Sequence, residues 1–313
     1  MTRVLALVLS LPCVYWTQGP ETAPAIKEAG LEQLCMPPDE AATWRGLGFQ
    51  VTPLSERDLK ARTPVPPPGI VAREGLASPT RSPWIEVNGW QYMRDPEGAF
   101  LLEPPAGVAV LAAAEAFAYG ANVVMKVDPS DLSDLGKLLA FLAQIPPADL
   151  PDVADFGVVD DGSPQMGEVL KLLVRRNLLF ERVRQPAPRF PFTVRLGAKE
   201  FSRVSAADPS AFALRLRRRL GDEHRSLRIY GSEVVVARLT GDAGRARLHL
   251  LNYSRRGIEG LRIRLGGSYP AGDAYVAGLG RQALADQVVA EGATEFSLPS
   301  LTTYAVVDLT AAR

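Results

Sequence analysis

The segment Ala106–Pro164 constrains the fold more than any other part of the chain. Residues 107–119 (GVAVLAAAEAFAY) are Ala-rich, with no Pro or Gly after the first position, and favour helix. Gly120 and Asn122 stop that helix. Asn122–Val127 is a short β-branched run that reads as a buried strand. Asp131–Gln144 is helical again, with Leu132, Leu135, Leu138, Leu139 and Leu142 on one face. Val153–Asp160 is a second apolar strand and runs into Asp-Asp-Gly-Ser-Pro. Helix, strand, helix and strand at this spacing predict parallel strands covered by helices. Such sheets place ligands beyond the carboxyl ends of their strands, and those ends carry Lys126 with Asp128, and Asp160 with Asp161.

The beginning of the chain extends the pattern. Val14–Gln18, Leu31–Met36 and Phe49–Leu54 read as strands separated by helices over Glu21–Ala29 and from Asp39, which reads as an N-cap. Residues 55–82 are Pro-rich and read as a surface excursion. Trp84–Arg94 reads as an aromatic strand that forms a hairpin with residues 99–103. After Asp160 come a helix over Gln165–Arg176, strands at Leu178–Val183 and Phe192–Leu196, and a helix over 209–220 capped by Asp208. That last helix contains LRLRRRL, read as a solvated face. From Ser226 the period becomes two. Seven short apolar runs separated by turn-formers predict an antiparallel β-sandwich, with His249 on its outer face. The fold class is therefore an α/β domain, either a partial or shortened β/α barrel or a flavodoxin-like parallel sheet, followed by an antiparallel β-sandwich. The domains are a candidate signal segment at 1–13, the α/β domain at 14–220 and the sandwich at 226–313.

Composition narrows the partners. With 35 basic and 35 acidic side chains the formal charge is zero, so no nucleic acid or anionic membrane is expected as partner. No apolar run is long enough to span a membrane. Two distant His predict no metal site, and no cofactor motif occurs. Arg3 followed by Val4–Leu11 has the outline of an export signal or of a buried first strand, leaving both exported and cytoplasmic locations open. Cys13 before one strand and Cys35 near the end of the next are expected to lie about 17 Å apart, too far for a disulfide, which needs about 7 Å.

The tail RLHLLNYSRRGIEGLRIRL, followed later by ATEFSLPSLTTYAVVDL, resembles the small C-terminal β-sandwich found after the catalytic domain of many glycoside hydrolases. GVAVLAAAEAFAYGANVVMKVDP is similar to a late helix and strand of glycosidase-like (β/α) barrels. DFGVVDDGSPQMGEVLKLLVRRNLLFERV resembles the opening of the glutamine-amidotransferase-like domain of trimeric β-galactosidases, a structural module in those proteins. The resemblance implies a carbohydrate-active protein with a carbohydrate ligand. The α/β part is shorter than the about 250 residues of a complete barrel.

Glycoside hydrolysis needs two carboxyl groups across one cleft. Asp160, Asp128 and Glu86 are the candidate catalytic carboxylates. Lys126, Trp16, Gln18, Asn88, Trp90 and Asp161 are candidate ligand contacts, and Glu103 could also face a ligand. Lys126, Asp128 and Asp160 converge if their strands are neighbours. The same residues also suit a structural ion pair closing a strand end, followed by a helix cap, and the aromatics also suit a core. Glu115 reads as a surface residue or part of a helix-end pair. Three functions follow: a glycoside hydrolase, a noncatalytic glycosidase-derived carbohydrate-binding protein, or a scaffold protein whose α/β part makes homo-oligomer contacts.

Overall fold

A computed structural model describes residues 11–71 and 84–311. Residues 1–10 of the candidate signal segment and residues 72–82 of the Pro-rich excursion therefore lie outside the described residues. In chain order the elements begin β1 (Cys13–Tyr15), α1 (Ala23–Glu28), β2 (Gln33–Met36), α2 (Ala41–Gly46), β3 (Gln50–Pro53), α3 (Glu56–Lys60) and β4 (Thr63–Val65). They continue β5 (Gly69–Ile70), β6 (Ile85–Glu86), α4 (Gly89–Arg94), β7 (Ala99–Leu102), α5 (Ala109–Ala118), β8 (Asn122–Lys126) and α6 (Leu132–Ala143). Two compact units emerge: residues 1–71 with 95–149, and residues 72–94 with 150–313.

The first unit holds six parallel strands in the order β3-β2-β1-β8-β7-β4. Successive strands step in one sense from β1 to β3 and from β4 through β7 to β8, and between β3 and β4 the chain crosses from one edge of the sheet to the other. No ladder joins β3 to β4 among the described residues, so they form the two edges of the sheet. One face of the sheet, carrying Val14, Trp16, Leu34, Met36, Phe100, Leu102, Val123 and Met125, is fully buried. The opposite face carries a smaller cluster of Tyr15, Cys35 and Val124 packed with Leu59 of α3, with Cys13, Leu54 and Leu101 against it. Gly136 lets α6 lie against α1, since a Cβ there would sit 1.7 Å from the Ala29 carbonyl oxygen. Asp131 accepts from Gly107 N at 2.7 Å and so anchors the turn before α5.

Several expectations are corrected here. Cys13 and Cys35 form a disulfide with Cα atoms 5.8 Å apart. The strands are three and four residues long, and Tyr15 pairs with Cys35. The two cysteines are therefore offset by two residues on one sheet face rather than by a strand length. The Pro-rich excursion begins with real elements: Ser55 and Asp58 form a reciprocal capping box on α3, and β4 follows. Trp84–Arg94 is mainly the helix α4. Residues 99–102 pair with β8 and β4 rather than in a local hairpin. Glu115 is fully buried. The side chain of Asp39 does not cap α2, whose N-cap position is Glu40.

The second unit continues β9 (Phe156–Val159), α7 (Pro164–Arg175), β10 (Phe180–Arg182), β11 (Thr193–Arg195) and α8 (Pro209–Leu220). The three strands are parallel in the order β10-β9-β11, a small flavodoxin-like sheet. Asp208 caps α8 by accepting from Ala211 N. Nine antiparallel strands follow: β12 (Leu227–Tyr230), β13 (Val235–Gly241), β14 (Arg245–Asn252), β15 (Ile258–Gly266), β16 (Ala271–Val276), β17 (Gly280–Ala283), β18 (Ala285–Ala290), β19 (Ala293–Leu301) and β20 (Tyr304–Thr310). They form sheets β12-β15-β19-β18 and β13-β14-β20-β16-β17 around one core that includes Leu248, Leu250, Ile263, Phe296 and Val307. Residues 150–180 are stitched into this sandwich. Asp152 bridges Thr240, Asn177 bonds the backbone of Val235 and Ala237, and Leu179 joins the core. His249 is buried, contrary to its expected outer placement, because both alternating sets on β14 are covered. Its Nδ1 lies 2.6 Å from the Tyr304 hydroxyl, and burial drives the imidazole well below its usual pKa.

Candidate functional site

The carboxyl ends of the six-stranded sheet gather a polar row by simple parity. Leu101 pairs with Val124, and Tyr15 pairs with Lys126. Two residues on from Leu101, Glu103 keeps the same face. Glu103, Lys126 and Tyr15 thus stand side by side at the ends of three adjacent strands, on one face of the sheet. Lys126 Nζ lies 2.6 Å from Glu103 Oε1, and both side chains are about half exposed. Burial raises the Tyr15 hydroxyl pKa; Lys126 opposes the rise, and Glu40, Asp39 and Glu56 reinforce it. An ammonium, a carboxylate and a phenol therefore share one strand-end face. Asp128 stands just beyond it and caps the following turn through Ser130 N at 2.9 Å and Ser130 Oγ at 2.6 Å. The Ser130 hydrogen bonds hold its carboxyl below the usual range. Gln18 is exposed beyond β1. Trp16 is buried, and its indole N–H donates to Thr22 Oγ1 at 2.9 Å.

The other candidates belong to the second unit. β8 and β9 lie in different sheets, so the condition under which Asp128 and Asp160 would converge as strand neighbours is not met. In the small sheet the strand order switches at β9, the usual place for a ligand crevice. There Asp160 sits at the carboxyl end of β9 with its side chain 4% exposed. Arg94 donates to both of its oxygens at 2.8 Å, Gly162 N donates at 2.9 Å, and Arg182 lies at 3.3 Å. Burial pushes this carboxyl up, but Arg94, Gly162 and Arg182 outweigh it, and the pKa ends below its ordinary value. Asp161 accepts from Ser163 N at 3.0 Å and from Arg203 at 2.5 Å. The crevice at this switch point is thus occupied by the chain's own guanidiniums.

Glu86 is paired with Lys171 of α7 at 2.6 Å, both side chains largely buried. Trp84 lies under Arg175, 4.4 Å from its ring centre. Asn88 is fully buried at the start of α4, and its Oδ1 accepts from Gln91. Trp90 packs against Gly167 of α7, with the Arg94 guanidinium 5.3 Å over its ring. Sequence reasoning missed Tyr15 and the pairing of Lys126 with Glu103. The signal was present: Leu101 and Glu103, like Val124 and Lys126, are two residues apart on what are now adjacent strands.

No protein-family model and no curated protein sequence matches the chain. Among solved structures, alpha-L-fucosidase isoenzyme 2 from Paenibacillus thiaminolyticus superposes with a TM-score of 0.50 at 11% identity, over 72% of this chain and 62% of that one. In structure the chain is similar to glycoside hydrolases. A GH42 beta-galactosidase from G. stearothermophilus aligns with 95% of this chain and 59% of its own length, at 9% identity and a TM-score of 0.39. The chain spans less than two thirds of the length of either protein. The likeness is one of fold. Among the described residues no helix is long and apolar enough to cross a membrane.

Proposed function

We propose that the protein is a noncatalytic carbohydrate-binding protein with a glycosidase-like fold, and that its ligand sits against Tyr15, Glu103 and Lys126. One observation carries this reading: each candidate catalytic carboxylate is already engaged. Asp160 is gripped by Arg94 and Arg182, Glu86 is paired with Lys171, and Asp128 caps its own turn. A glycosidase acid must hold its proton near neutral pH, which requires a raised pKa. Asp128, Asp160 and Asp161 are all shifted the other way. Glu103 and Lys126 offer an acceptor beside a donor, the complement of adjacent sugar hydroxyls. The Cys13–Cys35 disulfide supports export to an oxidising compartment.

The test is a glycan array run beside a hydrolysis screen. Wild type is expected to bind a glycan without turning it over. Glu103→Gln and Lys126→Met are expected to weaken that binding by about tenfold, the loss of one charge-assisted hydrogen bond. Hydrolysis by wild type that disappears in a fully folded Asp160→Asn variant would overturn the proposal.

A further inference from the structure

Both long helices of the second unit end in arginine. Arg175 and Arg176 close α7, and Arg217 lies in the last turn of α8. Arg225 and Arg228 follow on the way into and along β12. All five line one cleft of about 510 Å³, bounded on its far side by the turn Tyr230–Glu233. Two carboxylates, Asp222 and Glu233, share it.

The charges do not balance locally. Asp222 is fully engaged: Arg217 donates to both its oxygens at 2.9 and 2.8 Å, and Arg225 donates at 3.1 Å. The other arm of Arg225 donates to the Asn177 carbonyl at 3.2 Å. Arg176 donates to Ser210 Oγ at 2.8 Å and forms no ion pair among the described residues, although Glu233 lies close enough to act on it electrostatically. Arg228 forms no ion pair either among the described residues. The Nε atoms of Arg176, Arg225 and Arg228 are buried without an acceptor. A buried charged donor left unpaired is costly. The carboxyl-end dipoles of α7 and α8 favour cations here, and the Asn177 carbonyl just past α7 takes one arm of Arg225. A planar guanidinium fork matches the oxygens of a carboxylate, sulfate or phosphate group.

We propose that this cleft binds the oxyanion group of a small ligand, held by Arg176 and Arg228 with Arg225 behind them. The site shares no residue with Tyr15, Glu103 and Lys126, so it stands whether or not those residues bind a neutral sugar. It also gives a role to part of the LRLRRRL run. Arg217 turns into the cleft, while Arg219 pairs with Glu200 at 3.1 Å and lies over Phe192 and Phe201.

The test is calorimetric titration of the full-length protein with sodium sulfate, sodium phosphate and sodium glucuronate, with glucose and sodium chloride as controls. At least one oxyanion is expected to bind with 1:1 stoichiometry, and glucose is not. Binding of glucuronate alone would assign the site to a sugar acid; binding of sulfate or phosphate alone would assign it to a tetrahedral anion. Arg176→Gln and Arg228→Gln are each expected to weaken binding by about tenfold, and the double variant to abolish it. Without anion the double variant is expected to remain folded, checked by circular dichroism. On wild type itself, the bound anion is expected to protect Arg176 and Arg228 from phenylglyoxal. The proposal is overturned if no oxyanion binds better than chloride, if a folded double variant binds like wild type, or if saturating anion gives no protection.

Discussion

Asp160 ties α4, β9 and β10 of the second unit together through Arg94 and Arg182, and its removal should read as lost stability. Asp160→Asn leaves two guanidiniums without their carboxylate. It is expected to lower the unfolding free energy by about 3 kcal/mol, checked by urea denaturation. The folded-state pKa is depressed, so the contribution is present above the unfolded value of 3.8 and fades as pH falls through the folded pKa. Asp155 behaves oppositely. It is buried, accepts from Ser226 N at 3.0 Å and leaves Oδ2 without a partner. Burial raises its pKa above 3.8 against the opposing pull of Ser226 and Arg225. The native state therefore holds this proton more tightly than the unfolded chain. Stability associated with Asp155 is full below 3.8 and declines as pH rises through the folded pKa. Asp155→Asn is expected to remove that decline, so wild-type and variant denaturation curves should converge at low pH and diverge as pH rises.

Gly136 in α6 faces the backbone of Ala29, and there a general rule about helices reverses. Alanine favours helix over glycine by about 1 kcal/mol, yet a Cβ at this position would overlap a carbonyl oxygen at 1.7 Å. Gly136→Ala is expected to destabilise by about 1–3 kcal/mol, measured as a lowered urea midpoint with unchanged slope. At this scale much was legible from sequence. α5 to α8 follow their leucine and alanine periodicity, and Asp208 announces α8 as a cap. β7 and α4 were not legible. AFLL pairs with strands that begin 23 residues later and 36 residues earlier, and WQYM is aromatic enough to read as strand although it packs as helix. His249 obeyed its alternation but not the rule that one sheet face meets water. The Lys126–Glu103 row was hidden for the reason that hid β7: parity predicts a face only once neighbouring strands are known. Arg94 and Arg182 are 66 and 22 residues from Asp160, so no local pattern announces that cluster.

The two units differ in what holds them. The first has a covalent tie that closes a 22-residue separation, worth about 3 kcal/mol by loop-closure entropy. Adding reductant is expected to lower the unfolding free energy by that amount, read from urea denaturation, and denatured, unreduced protein should not react with a thiol label at either cysteine. The second unit is bound by backbone pairing between residues 150–180 and the sandwich. A chain cut at residue 226 loses Asp152, Asn177 and Leu179 from its edge and core. The isolated 226–313 fragment is expected to unfold at lower urea than the sandwich does in the full protein, followed by circular dichroism in the β region. The strand order of the first unit also sets a schedule for synthesis. β1, β2 and β3 can pair once the chain has been made through Pro53, and oxidation of Cys13 with Cys35 can lock β1 to β2. The other edge of β1 belongs to β8, which is finished only at Lys126. At about 5–20 residues per second, that edge waits on the order of several seconds. A nascent chain in that interval carries an open parallel edge, the kind that recruits strands from other chains. The early disulfide then serves as a template, keeping β1 and β2 in register, with β3 paired on β2, until the second half arrives to cover them.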